Sequence, residues 1–137
     1  NINYSILYLT YCSKEKREDV GDLPAIERYI SNRIGRVSGN AAAAGCHFMI
    51  LSGSFGFLDR QDPLPYYDHL MLADEVPAMV LIVANQIKSF SATRGSPPST
   101  IKYYEVQEDP FVGPYKRLVQ LICEKFSIDL EIVPTTE

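Results

Sequence analysis

The stretch Tyr4 to Cys12 (YSILYLTYC) constrains the fold more than any other part of the chain. Its residues are aromatic, β-branched or apolar on both alternating faces, and a strand of that kind needs a covering layer on each side. A strand with one wet face would alternate with polar residues instead. The segment therefore predicts the central strand of a sheet sandwiched between helices.

The rest of the chain supplies the other elements. Cys46 to Leu51 (CHFMIL), Ile101 to Val106 (IKYYEV) and Asp129 to Val133 predict three more strands. Between the first two, Asp22 is expected to cap a helix with Pro24 in its first turn; Ile26, Tyr29, Ile30, Ile34 and Val37 recur at helical spacing and Gly45 closes it. Ser52 to Leu72 shows no periodicity, and Pro63 and Pro65 exclude regular helix, so a long ordered loop is expected. Asp74 is expected to cap a helix running to about Phe90, and Pro110 and Pro114 open a last one carrying Tyr115, Leu118, Val119, Ile122 and Phe126. Strands alternating with helices imply parallel pairing and right-handed crossovers, hence an α/β fold, a three-layer α/β/α sandwich. Ligands of such sheets bind beyond the carboxyl ends of the strands.

Composition narrows the class. With 137 residues the chain is expected to be one domain, 1–137, with a hydrophobic core of its own. The apolar fraction of 46% and charged fraction of 22% are globular values, and no apolar run nears the roughly 20 residues that span a bilayer. No basic segment precedes an apolar one at the start, so a cytoplasmic location without membrane partners is expected. Cys12, Cys46 and Cys123 lack C-x-x-C spacing and read as free thiols. A net charge of -4 with a pI near 5.2 opposes binding to long nucleic acid unless a local basic patch exists.

Three segments carry candidate chemistry. Directly after the central strand, the loop Cys12-Ser13-Lys14-Glu15-Lys16 places cations where a phosphate or carboxylate would be received, although Glu15, Glu18 and Asp19 would equally make it an ordinary solvated turn. Ser52-Gly53-Ser54-Phe55-Gly56 follows the second strand, and its backbone N–H groups can face an anion; a tight turn needing Gly for geometry alone is the alternative. Neither the Walker lysine pattern nor a dinucleotide fingerprint is present, so no cofactor is expected. Tyr66-Tyr67-Asp68-His69 offers a ring face, a carboxylate that orients or deprotonates, and an imidazole. His47, inside a predicted strand, reads as a satisfied core histidine, and two histidines without clustered partners indicate no metal site.

Taken in order, Cys12-Ser13-Lys14-Glu15-Lys16, Pro24-Ala25-Ile26-Glu27-Arg28-Tyr29, Leu51-Ser52-Gly53-Ser54-Phe55-Gly56-Phe57 and Tyr66-Tyr67-Asp68 resemble a group of small, mostly uncharacterised bacterial domains. Those domains carry C-S-x-x-K after the first strand, P-A-x-x-x-Y at a helix start, an L-S-A-x-Y-G-L-like turn and a downstream P-Y-D. They are distantly similar to YaaA-type peroxide-stress proteins and to the lysine-transferring domain of archaeosine synthase. The resemblance covers about the first half of the chain; Gly53 stands where the family often has Ala, and Phe55 where it often has Tyr. It implies a fold like uracil-DNA glycosylase, with a four-stranded parallel sheet in the order 2-1-3-4, and work on nucleobases or nucleic acid.

The expected function is a nucleotide- or nucleobase-related domain holding an anionic or planar ligand at the carboxyl edge of the first two strands. Lys14 and Lys16 would neutralise an anion, Ser52, Gly53 and Ser54 would donate hydrogen bonds, Tyr67 would stack and Asp68 would orient or deprotonate. Cys12, Ser13 and Gly56 complete the expected ligand-binding set, and Asp68 and Lys16 are the catalytic candidates if a modified base undergoes transfer or hydrolysis. Whether the chain is an enzyme stays open at this point. A non-catalytic module for nucleic acid or a protein partner, and a stress-related redox role through Cys12, are the rival classes.

Overall fold

In the computed structural model, which describes residues Asn1–Glu137, β1 (Asn3–Tyr11) is the middle strand of the main sheet. It pairs in parallel with β3 (Cys46–Ser52) on one side and β6 (Thr100–Val106) on the other, and β6 pairs in parallel with β7 (Asp129–Thr135). A further strand, β4 (Gly56–Asp59), folds back antiparallel on β3. The expectation of a four-stranded, all-parallel sheet in the order 2-1-3-4 is therefore corrected: the sheet is mixed and five-stranded, ordered β4-β3-β1-β6-β7. β2 (Leu23–Pro24) and β5 (Pro63–Leu64) form a separate two-stranded ribbon. The helices are α1 (Ala25–Arg28), α2 (Asn32–Ala44), α3 (Val76–Arg94) and α4 (Gly113–Phe126). None is long and apolar enough to cross a membrane.

Both faces of β1 are covered from Leu7 to Tyr11, where its apolar pattern is continuous, while Asn3 and Ser5 stay exposed. Leu9, paired with Met49 and Tyr103, is fully buried. Tyr8 and Thr10 share a face with Phe48, on which Arg60 lies while bonded to Ser38 of α2. The opposite face carries Tyr11 and Tyr103 toward α4, with the Tyr11 and Tyr115 rings 6.0 Å apart. α3 packs on α4 and on β4. Full burial of a Leu or Phe side chain stabilises by about 1.5–3 kcal/mol, so this double-sided core outweighs any single polar contact.

Three local expectations are corrected. The first crossover helix does not begin at Asp22. It begins at Ser31, whose Oγ accepts from Ile34 N at 3.2 Å, and it ends at Gly45 with φ 70. The chain before it is broken at Tyr29, which is extended because its flanking backbone pairs with the loop at Lys16, while Arg28 turns its guanidinium inward onto the carbonyls of Arg17, Asp19, Gly21 and Leu64. Second, the segment after Ser52 is not wholly irregular, since Phe57 and Leu58 are buried in β4. Only four residues long, β4 is too short for a periodic signal. Third, Asp74 lies in a short 3-10 turn (Ala73–Glu75), and the following helix starts at Val76 and runs beyond Phe90 to Arg94.

The three cysteines are free and buried, and burial pushes the Cys123 thiol up to about 12. His47 is held by Asp59, Nε2 to Oδ1 2.6 Å, across the β3–β4 hairpin, while its Nδ1 has no partner. Strand order reverses at β1: α2 leads to its β3 side and α3 leads back to its β6 side. The carboxyl ends of β1, β3 and β6 therefore frame the crevice where doubly wound sheets bind ligands.

Candidate ligand cleft at the carboxyl end of the sheet

The loop after β1 is shaped by its own backbone. Ser13 Oγ donates to Glu15 O (2.6 Å), Cys12 N donates to Leu51 O (2.8 Å) and Ile30 N donates to Glu15 O (3.0 Å). Lys16 pairs with Tyr29 in an isolated antiparallel bridge, and this turns its side chain inward while Lys14 stays exposed. Lys16 is only 9% exposed. Its ammonium reaches Lys14 O at 3.4 Å and lies 4.7 Å from the centre of the Tyr67 ring and 5.8 Å from that of Tyr29. No carboxylate comes within ion-pair distance of it.

Beneath Lys16 lies a chain of hydroxyls. Ser52 Oγ accepts from Ser54 N and Phe55 N, both at 3.1 Å, and contacts Tyr67 Oη at 2.8 Å; Tyr67 Oη in turn contacts Tyr29 Oη. With its lone pairs engaged by two backbone donors, Ser52 must donate its hydrogen to Tyr67, and Tyr67 then donates to Tyr29. The chain has one direction, and its last hydrogen belongs to Tyr29. Burial holds the Tyr29 and Tyr67 hydroxyls well above the ordinary tyrosine value, with the charge of a Cys12 thiolate acting the same way, so both stay protonated donors. On the other side of Cys12, its Sγ lies 3.5 Å from Tyr115 Oη, which accepts from Met71 N at 3.1 Å. Tyr115 is likewise raised, chiefly by burial.

Above this layer opens a cleft of about 450 Å³. Tyr11, Tyr115, Leu70 and Phe111 give it apolar walls, and Cys12, Ser13, Lys14, Lys16 and Arg33 line its polar side. Asp68, Asp109 and Glu137 also line it, and Asp68 and Glu137 are exposed. Arg33 is 1% exposed; its guanidinium sits 3.8 Å from the Tyr11 ring centre and donates to Thr10 Oγ1, Tyr11 O and Cys12 O. The deepest charges of the cleft are thus positive, and a carboxylate or phosphate with a planar apolar body fits that distribution. No group of three or more His, Cys, Asp or Glu side chains is placed to hold a metal ion.

Of the residues singled out in the sequence, Cys12, Ser13, Lys14, Lys16 and Asp68 line this one cleft. Ser52 and Tyr67 form its second layer, with the Tyr67 face occupied by Lys16 and Phe55 edge-on at 5.2 Å. Gly53, Ser54 and Gly56 do not line it. They build the hairpin turn into β4, where Gly56 adopts φ 73 and Gln86 of α3 clasps Phe55 and Phe57. At Gly53 a Cβ would meet Tyr115 Oη at 2.8 Å and Met71 N at 3.1 Å. Glycine at this position thus makes room for Tyr115. Gly53→Ala is expected to cost about 1–3 kcal/mol through overpacking, read as a lowered denaturant midpoint with unchanged slope. His69 lines the cleft but pairs with Glu75 at 2.9 Å.

Sequence reasoning missed Tyr11, Arg33, Asp109, Phe111, Tyr115 and Glu137 as cleft residues. Arg33 left a signal, because it lies three residues after Ile30 and four before Val37, on the stripe that should be apolar. Asp109 and Phe111 follow β6, so only the strand order brings them here.

Comparison of the chain with family models, curated proteins and solved structures finds no match.

Proposed function

We propose that this chain is a nucleotide- or nucleobase-related domain that binds a planar ligand bearing an anionic group in the cleft at the end of β1, with transfer or hydrolysis at a modified base as its reaction class. The observation that carries this reading is Lys16, a residue only 9% exposed whose side chain lines the cleft with no carboxylate within ion-pair distance. A buried cation without a counter-ion is costly, and a protein keeps one where a ligand supplies the anion. The exposed Phe111 ring at the mouth offers a stacking face, and the Asp68 carboxylate, with no protein partner, can accept ring N–H groups or take a proton.

Nucleosides, nucleotides and inorganic phosphate at millimolar concentration, followed by thermal melting, test this reading. A nucleotide at 100 times its Kd is expected to stabilise the protein by about 2.7 kcal/mol, which raises the melting temperature by several degrees. Asp68→Ala is expected to melt like the parent and to show a smaller nucleotide shift. Absence of any shift with every compound would discard the proposal.

A second reading, a module that docks on a protein partner, draws on the outer surface of α3, where Leu81 is 66% exposed and Ile82 43%. The first half of α3, 76–84, is apolar on all sides and calls for more cover than α4 and β4 provide. A melt indifferent to nucleotides, with self-association that Leu81→Lys abolishes, would favour it.

A further inference from the structure

The strap after β7 ends in a contact that the cleft reading leaves unexplained. Glu137 Oε1 lies 3.1 Å from Arg33 Nε, and its Oε2 accepts from Ser31 Oγ at 2.5 Å. Glu137 also stands between two cavities: the cleft itself and a neighbouring one of about 350 Å³ lined by Ser13, Lys14, Ser31 and Asn32. Its carboxylate is the one acid paired with Arg33, yet the Glu137 side chain is 59% exposed while that of Arg33 is 1%.

Arg33 does not depend on Glu137 for its position. Thr10 Oγ1, Tyr11 O and Cys12 O accept from its two terminal nitrogens, and the Tyr11 ring lies against its plane. Only Nε faces outward, toward the carboxylate. Arg36 separately holds Thr135 Oγ1 and the Thr136 carbonyl, so the backbone of the strap is anchored independently of the Glu137 side chain. The guanidinium is thus a fixed, buried cation with an exposed side chain as its counter-ion. Replacing that carboxylate by another oxyanion preserves the charge pairing of Arg33 and the hydrogen bond of Ser31.

We propose that Arg33 and Ser31 form an oxyanion subsite where the cleft meets its neighbouring cavity, held by the Glu137 carboxylate until a phosphate or carboxylate of the ligand takes its place. This rests on the cleft reading above and adds to it a second anion position besides the one Lys16 faces, together with the residue that competes for it. Burial raises the protonation range of the Glu137 carboxyl, but the Ser31 hydrogen bond and the Arg33 charge together outweigh it and lower that range, so the group is charged and competing at neutral pH.

Inorganic phosphate and acetate, titrated at constant ionic strength into the protein and its Glu137→Gln and Glu137→Ala variants, test the proposal by melting temperature. Glu137 is exposed, so both variants should remain folded. An internal carboxylate that holds the subsite nine-tenths of the time weakens apparent affinity about tenfold, so half-saturation by phosphate should fall about tenfold in both variants. The same gain with acetate identifies a carboxylate ligand, and a gain with phosphate alone a phosphorylated one. Equal half-saturation in all three proteins overturns the subsite. If a nucleoside without phosphate then still raises the melting temperature of all three equally, the subsite alone is lost; if nucleosides and nucleotides move none of them, the cleft reading is lost with it.

Discussion

Replacing Lys16 by methionine is expected to leave the protein about as stable as before while weakening binding of an anionic ligand about 100-fold. The two effects differ because the ammonium is buried without an acid. Methionine fills the same stem volume and removes a mostly buried ammonium that no acid of the protein offsets. The contact with the Tyr67 ring that is lost in exchange is worth about 1 kcal/mol, so the two terms come close to cancelling. For the ligand no such balance holds, since a hydrogen bond between charged partners contributes about 1.5–3 kcal/mol. Urea unfolding and calorimetric titration of the same two proteins measure both terms. A Lys16→Met protein destabilised by more than about 2 kcal/mol would mean that the lysine is a structural staple of Tyr29 and Tyr67.

Arg28→Ala is expected to be the most damaging single change outside the apolar core. Its guanidinium is fully buried, has no carboxylate partner and donates to four backbone carbonyls, those of Arg17, Asp19, Gly21 and Leu64. Truncation leaves those acceptors unsatisfied at about 1–3 kcal/mol each, partly relieved by water entry, for a loss of about 4 kcal/mol. For a chain of this size that lowers the melting temperature by about 12–16 °C. Arg28→Lys should recover less than half, because one ammonium cannot fan out to four carbonyls. The damage should extend to the cleft, since Arg28 ties down the strap that carries Lys16 and Tyr29 into their bridge. A melting temperature lowered by less than about 3 °C would refute this role.

The legible and illegible parts of the molecule divide along the range of the interactions. The central strand could be read because nine successive residues apolar on both faces admit one environment. The carboxyl-edge position of the site followed from the alternation of strands and helices, and Cys12, Lys16 and Asp68 were found because they lie directly after a strand or inside an aperiodic segment. Short elements escaped: β4 has four residues, and the broken start of the first crossover depends on Tyr29 meeting the loop at Lys16.

By itself, the sequence determined the α/β class, the central strand and the loop that carries the cations, since each rests on local periodicity or adjacency along the chain. Only the tertiary structure decided that the sheet gains an antiparallel edge, that Lys16 turns inward and that Ser52, Tyr67 and Tyr29 form one directed hydroxyl chain. It also decided that Arg33 and Glu137, separated by 104 positions, share an ion pair beside the cleft. Those features depend on which residues meet across strands and helices, and such meetings follow from strand order and packing, which no local pattern encodes.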